Sequence, residues 1–263
     1  MTGLHMSGAG NDFVVIDTRG QDHDLAALAI KACESTGADG FLALDSSPIA
    51  DFRLHFYNSD GLRGEMCGNG ARCICRYAYE NGLVGEEMTI QTDAGLVHGL
   101  RLPDGTYRVR LNNPSVLEEN YLGKAAYVEL GNPGIPHAVV PVVNLKAYDE
   151  AALFSLGRAL RYHPAFPKGA NVNFYEIIGE DHLYERTYER GVEDFTYACG
   201  TGTGSVVTVL TLKGQVSGHC VAVDMAGGRL TIDVERDGET ITDLYLTGPT
   251  NIVCKGEITD EEL

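Results

Sequence analysis

The feature that most constrains this chain is a local sentence written twice. Glu65-Met66-Cys67-Gly68-Asn69-Gly70 recurs, 132 residues on, as Tyr197-Ala198-Cys199-Gly200-Thr201-Gly202. Each Cys-Gly-x-Gly follows strand-like sequence and opens a run of small residues that reads as a helix. The correspondence spreads outward from the cysteines. Asn58 lies nine residues before the first and Arg190 nine before the second. Upstream of Cys67 the pattern predicts a strand at 11–17, a helix at 24–35 and strands near 41–46 and 52–58. Upstream of Cys199 it predicts a strand near 137–143, a helix near 149–162 and strands near 171–178 and 183–190. The helices rest on apolar spacing, Leu25, Leu28 and Ala32 in one and Leu153, Leu156 and Leu160 in the other, with Asp149 as N-cap of the second. Downstream, strands at 88–92 and 221–225 lead to turns at Pro103-Asp104-Gly105 and Asp237-Gly238, the Asp-Gly pair being a hairpin signal. Asn113-Pro114 and Gly248-Pro249 close the halves. The expectation is an α+β protein of two homologous domains, each a β-sheet wrapped around a central helix, with the active site in the cleft between them. Their bounds are 1–115, joined by a final strand at 250–263, and 116–249.

Composition narrows the function classes. At 263 residues the chain can bury two modest cores. A net charge of −17 argues against nucleic acid and anionic membrane surfaces as partners. The start, Met1 to Met6, has no apolar core of a signal peptide, and no apolar run reaches bilayer length. Seven cysteines, an odd number, point to reduced thiols and a cytoplasmic setting rather than a disulfide framework. A homodimer is left open.

The paired thiols carry the chemistry. A thiol at a helix N-terminus faces unpaired amides whose partial positive charge favours thiolate. The same amides can hold a carboxylate without an arginine. Two such helix ends can grip one carboxylate and set a sulfur on each face of the adjacent carbon, an arrangement for inverting an amino acid at Cα without pyridoxal phosphate. The charge that develops as the proton leaves needs several aligned donors. No cofactor is expected. Cys67, Cys73 and Cys75 match no common zinc spacing, so no metal is expected either. Cys33, Cys220 and Cys254 read as packing residues.

Several segments resemble one known family. Gly10-Asn11-Asp12-Phe13, Asn58-Ser59-Asp60-Gly61, Glu65 to Cys73, Pro136-His137, Asn171-Val172-Asn173-Phe174, Glu189-Arg190-Gly191 and Ala198 to Gly202 are similar to the signature of diaminopimelate epimerases, over residues 8–249. The resemblance implies that Cys67 and Cys199 are the acid/base thiols and that His137 and Glu189 tune them. It implies that the amides of Gly68, Asn69, Gly200 and Thr201 hold the reacting carboxylate. Asn58, Asn171 and Arg190 would bind the distal end of the substrate, with Asn11 and Glu189 lining the site. The implied reaction converts LL- to meso-diaminopimelate in lysine and peptidoglycan precursor synthesis. The chain departs from the pattern at Ile135, where a substrate-binding Asn is usual, at Phe195-Thr196, where Glu-Thr is common, and at Gly40, where some members have Gln. The first two replace polar groups by apolar ones around the second half-site. They leave open a racemase of another amino acid, histidine or lysine, on the same scaffold. A reading from another class is a redox switch joining Cys67 to Cys199.

Overall fold

The computed structural model describes residues 2–64 and 66–257, so Glu65 of the first motif and residues 258–263 of the final strand lie outside it. The chain divides into two compact units, Met1–Arg110 with Thr247–Leu263, and Leu111–Leu246. Each is an α+β unit built to one plan.

In the first unit Thr2–Gly8 pairs antiparallel with both Asn11–Asp17 and Asn251–Glu257. From Asn11–Asp17 the pairings run parallel to Gly40–Asp45, antiparallel to Phe52–Asn58, parallel to Glu87–Thr92 and antiparallel to Gly95–Arg101. The two parallel steps are bridged by helices α1 (Leu25–Thr36) and α2 (Gly68–Glu80). The second unit repeats the sequence of senses. Ala125–Leu130 pairs antiparallel with Ile135–Pro141, which runs parallel to Asn171–Gly179. That strand is antiparallel to His182–Glu189, which is parallel to Val221–Met225, itself antiparallel to Gly228–Asp237. Here α3 (Glu150–Arg161) and α4 (Gly200–Leu212) make the crossovers. Parallel neighbours need a crossover of this kind, which is why the helices fall where they do.

Strand alternation sorts the core into two layers. Val14, Ile16, Phe41 and Ala43 point to the α1 side, where they cluster with Leu28, Ala29 and Ala32. Phe13 and Leu42 point the other way, toward α2: a Cβ at Gly70 would come within 3.1 Å of Leu42 and 3.5 Å of Phe13. The strands are therefore buried on both faces, and α2 and α4 are buried along most of their length, α4 by apolar and small residues and α2 with Asn69 and Arg72 among its buried side chains. In the second unit α3 covers Val172, Phe174 and Tyr188 through Leu153, with Phe154 and Leu160 packed at the margin. Leu156, taken with that stripe from its spacing, is instead 37% exposed; the chain meets the sheet there at Gly157, whose Cα lies against Tyr188. Both α1 and α3 are capped by aspartate: Asp24 and Asp149 accept from the amides of Ala27 and Ala152.

Candidate active site

Cys67 and Cys199 occupy the same structural position. Each is the N-cap of its central helix, with extended backbone (φ −131°, ψ 119° and φ −125°, ψ 99°). The first turns, opening at Gly68 and Asn69 in α2 and at Gly200 and Thr201 in α4, present backbone amides that intrahelical bonding does not use. The second glycine of each motif is required by close packing: a Cβ at Gly202 would overlap Asn173 Oδ1 and sit 3.2 Å from Cys199 Sγ.

The two surroundings differ. Cys67 is partly exposed. Behind it, Arg72 is fully buried and donates from Nη1 to Gly68 O at 3.1 Å and from Nη2 to Asn69 Oδ1 at 3.0 Å. Asn69 Nδ2 passes the chain on to Asn11 Oδ1 at 2.9 Å, and Asn11 Nδ2 to Asp39 Oδ2 at 3.2 Å. Asn11 and Asn69 are thus brought together, locking the α2 N-terminus to the first strands. Asn58 is exposed and its amide donates to Leu62 O across a turn. Cys73 and Cys75 are buried thiols further along α2, both raised by burial, Cys73 to about 12.

Cys199 is buried, and its thiol is held well above the usual range, first by burial and then by the carboxylate of Glu189, while the Gly202 amide and the Thr201 hydroxyl pull it down. Thr201 Oγ1 lies 3.7 Å from the sulfur. Glu189 Oε2 accepts from Thr196 Oγ1 at 2.8 Å. Asn171 Oδ1 accepts the Arg190 amide at 2.8 Å, and its Nδ2 donates to Pro136 O. Arg190 Nη1 donates to Lys168 O at 3.0 Å, leaving the exposed guanidinium anchored at one corner. His137 is fully buried with Nδ1 3.2 Å from Asn173 Nδ2, and burial, aided by Arg190, pushes it down to about 3, so the ring is neutral.

Phe195 departs from its expected place beside the second half-site. Its ring packs against Phe154, Phe174 and Tyr188, with the Arg186 guanidinium 4.1 Å over it. It pairs with Tyr188, so alternation sends it into the α3 layer, while its neighbour Thr196 turns to Glu189. Cys33 is buried as expected, but Cys220 and Cys254 are exposed: Cys220 sits in a turn at φ 50°, and Cys254 lies on the strand Asn251–Glu257, exposed through Gly256. Arg72 and Asp39 enter these networks beside the expected residues. A lone Arg inside the small-residue run of a central helix was the available signal for the first.

Comparison with known proteins decides the family. The model of the family described as diaminopimelate epimerase matches residues 3–114 and 130–253. The chain belongs to the diaminopimelate epimerase family. It is 39% identical over 278 residues to the diaminopimelate epimerase of Aquifex aeolicus (strain VF5), covering 98% of each chain. It is 36% identical over 261 residues to that of Chlorobaculum tepidum, covering 97% of this chain and all of the relative. Membership makes the protein an isomerase. Among solved structures it resembles a PhzF-family phenazine biosynthesis protein from Bacillus anthracis (TM-score 0.77, 17% identity, 98% of this chain and 99% of that one). It also resembles a hydroxyproline epimerase from Agrobacterium vitis (TM-score 0.67, 17% identity, 98% and 90%). These likenesses describe the fold. Among the described residues no helix is long and apolar enough to cross a membrane.

Proposed function

We propose that the protein interconverts LL- and meso-2,6-diaminopimelate by a two-base thiol mechanism without a cofactor, in lysine and peptidoglycan precursor synthesis. The observation that carries this reading is the pair of cysteines, each at the N-cap of an equivalent central helix. One sulfur, as thiolate, takes the α-proton; the other, as thiol, delivers a proton to the opposite face of the same carbon. Amides of Gly68, Asn69, Gly200 and Thr201 bind the adjacent carboxylate and stabilise the charge that grows on it as the proton leaves. Cys199 suits the acid role in this pair, since burial and Glu189 favour its protonated form. In the reverse direction the roles exchange.

Glu189, fixed by Thr196, acts on Cys199 through its charge. His137 stays neutral and serves as a packing and hydrogen-bonding support rather than as a charged partner. Asn171 orients the Arg190 backbone, and the outward guanidinium offers a fork of donors to a distal carboxylate. Asn58 and Asn11 complete the binding groups. The test is α-proton exchange in deuterium oxide with a panel of LL-diaminopimelate, L-lysine and L-histidine. Exchange and inversion of diaminopimelate well ahead of both monocarboxylates is expected. Faster turnover of lysine or histidine overturns the substrate assignment and leaves the two-thiol chemistry standing.

A further inference from the structure

We infer that Glu185 carries a proton in the working enzyme and is a positioning residue for the Cys199 helix end, acting through Thr203, Thr187 and Asn173. The functional half of this inference rests on the two-thiol reading above; the protonation half does not.

Glu185 is 2% exposed, on the face of His182–Glu189 that it shares with Thr187. Register sets it opposite Tyr175, and Thr187 opposite Asn173, on the neighbouring strand. The argument is a count of protons. Asn173 Nδ2 donates to Ala138 O and Asn171 O, both at 3.3 Å, which fixes the amide and aims Oδ1 at Thr187 Oγ1, 3.1 Å away. The single hydroxyl proton of Thr187 is therefore spent on Asn173. What Thr187 offers Glu185 Oε1, at 3.3 Å, is a lone pair. Thr203 Oγ1 also bonds Glu185, and its proton goes to Cys199 O at 3.0 Å. A carboxylate here would face two hydroxyl lone pairs. A carboxylic acid has one proton to donate, and gives it to Thr203. Glu185 Oε2 is moreover buried without a hydrogen-bond partner, a position in which an ionised oxygen is costly and a neutral one much less so. Burial raises the Glu185 carboxyl to about 8.

The consequence reaches Cys199. Its carbonyl is held by Thr203, and Thr203 is held by the Glu185 proton, so the acid links the sheet to the first turn of α4. The titratable groups facing Glu185 are Cys199 from α4, Tyr175 from the paired strand, Glu189 from its own strand and, through Asn173, His137 from Ile135–Pro141. While Glu185 is neutral, Glu189 acts on Cys199 alone. Once Glu185 ionises, the donor to Thr203 is lost and the Cys199 end of α4 loses this tie to the sheet. Glu185 thereby sets the alkaline limit of turnover.

The experiment is an infrared titration of the full chain and of Glu185→Gln. In the native protein a protonated-carboxyl C=O band should persist at pH 7, disappear as pH rises through about 8, and be missing from the variant. Carboxyl-carbon NMR of glutamate-labelled native protein reads the same titration without a substitution. Absence of any protonated carboxyl at pH 7 overturns the inference, whatever the substrate proves to be. The pH profile of α-proton exchange tests the link to Cys199. The alkaline limb should move up by about one pH unit or more in Glu185→Gln, while the acid limb stays. An unmoved alkaline limb in folded variant removes the positioning role.

Discussion

Asn69 offers a test in which stability and activity should part company. Asn69 is 1% exposed; it accepts from the buried Arg72 guanidinium at 3.0 Å and donates to Asn11 at 2.9 Å. Asn69→Ala orphans an N–H of a fully buried cation, a loss of about 2–3 kcal/mol, and removes a bond to partly exposed Asn11 worth about 0.5–1 kcal/mol. The sum is about 3 kcal/mol. Asn69→Asp forfeits the Asn11 bond but gives Arg72 a charged acceptor, so it should recover most of that loss. Activity should run the opposite way. The aspartate puts a negative charge in the first turn of α2, among the amides proposed to bind a carboxylate, and there it repels substrate and disfavours a thiolate at Cys67. Urea unfolding followed by circular dichroism gives the first quantity, provided the slope with denaturant is unchanged. Proton exchange gives the second. Asn69→Ala within 1 kcal/mol of the native protein, or Asn69→Asp both no more stable and more active than Asn69→Ala, would refute the network as drawn.

Four further outcomes are expected. Cys67→Ala and Cys199→Ala should each abolish inversion, because each sulfur serves one face; full epimerisation by either variant sinks the two-base mechanism. Alkylation at pH 8, followed by peptide mapping, should reach Cys67 before Cys199, since Cys67 is partly exposed while Cys199 is buried with its thiol held protonated; earlier labelling of Cys199 would contradict this. Asp149→Ala removes the α3 cap bond to Ala152 and should cost about 1 kcal/mol of stability while sparing activity; a matching fall in turnover would show that α3 reaches the site. His137 is held near 3 in the folded state against about 6.5 unfolded, so the unfolded chain binds its proton first and stability falls as pH drops from about 6.5 toward 3. His137→Gln should flatten that part of the stability curve, measured by urea titration at several pH values, and an unchanged slope would assign the loss to other groups.

The order of elements was legible because it occurs twice, and a pattern seen in both halves is hard to produce by chance. Strands 52–58 and 221–225 and the Asp149 cap fall where the pattern set them. Other elements left less trace. Thr2–Gly8 is rich in glycine and owes its structure to two strand partners distant or adjacent in sequence. Pro114–Leu122 and Ala125–Leu130 lie in a stretch where Glu129 and the glycines mask alternation; Glu129 is buried only because Tyr127 and Lys168 bond it. Phe195 shows the limit for single residues. Its neighbours in sequence suggested the half-site, but the side of the sheet it takes depends on its register with Tyr188, which spacing alone does not give.

The duplicated scaffold has diverged in the charge it sets behind each thiol. Behind Cys67 stands a buried guanidinium, fixed by Gly68 and Asn69. Behind Cys199 stand two carboxyl groups, Glu189 charged and Glu185 buried. Identical backbones alone would give two thiols of equal acidity, and an enzyme in which both were ionised or both protonated would lack either an acid or a base at rest. Burial and the Glu189 carboxylate break that tie at Cys199 in favour of the thiol, while the Arg72 guanidinium lies on the side of Cys67. The proposed mechanism needs one proton shared between two sulfurs, and burial together with the Glu189 carboxylate favours its resting on Cys199.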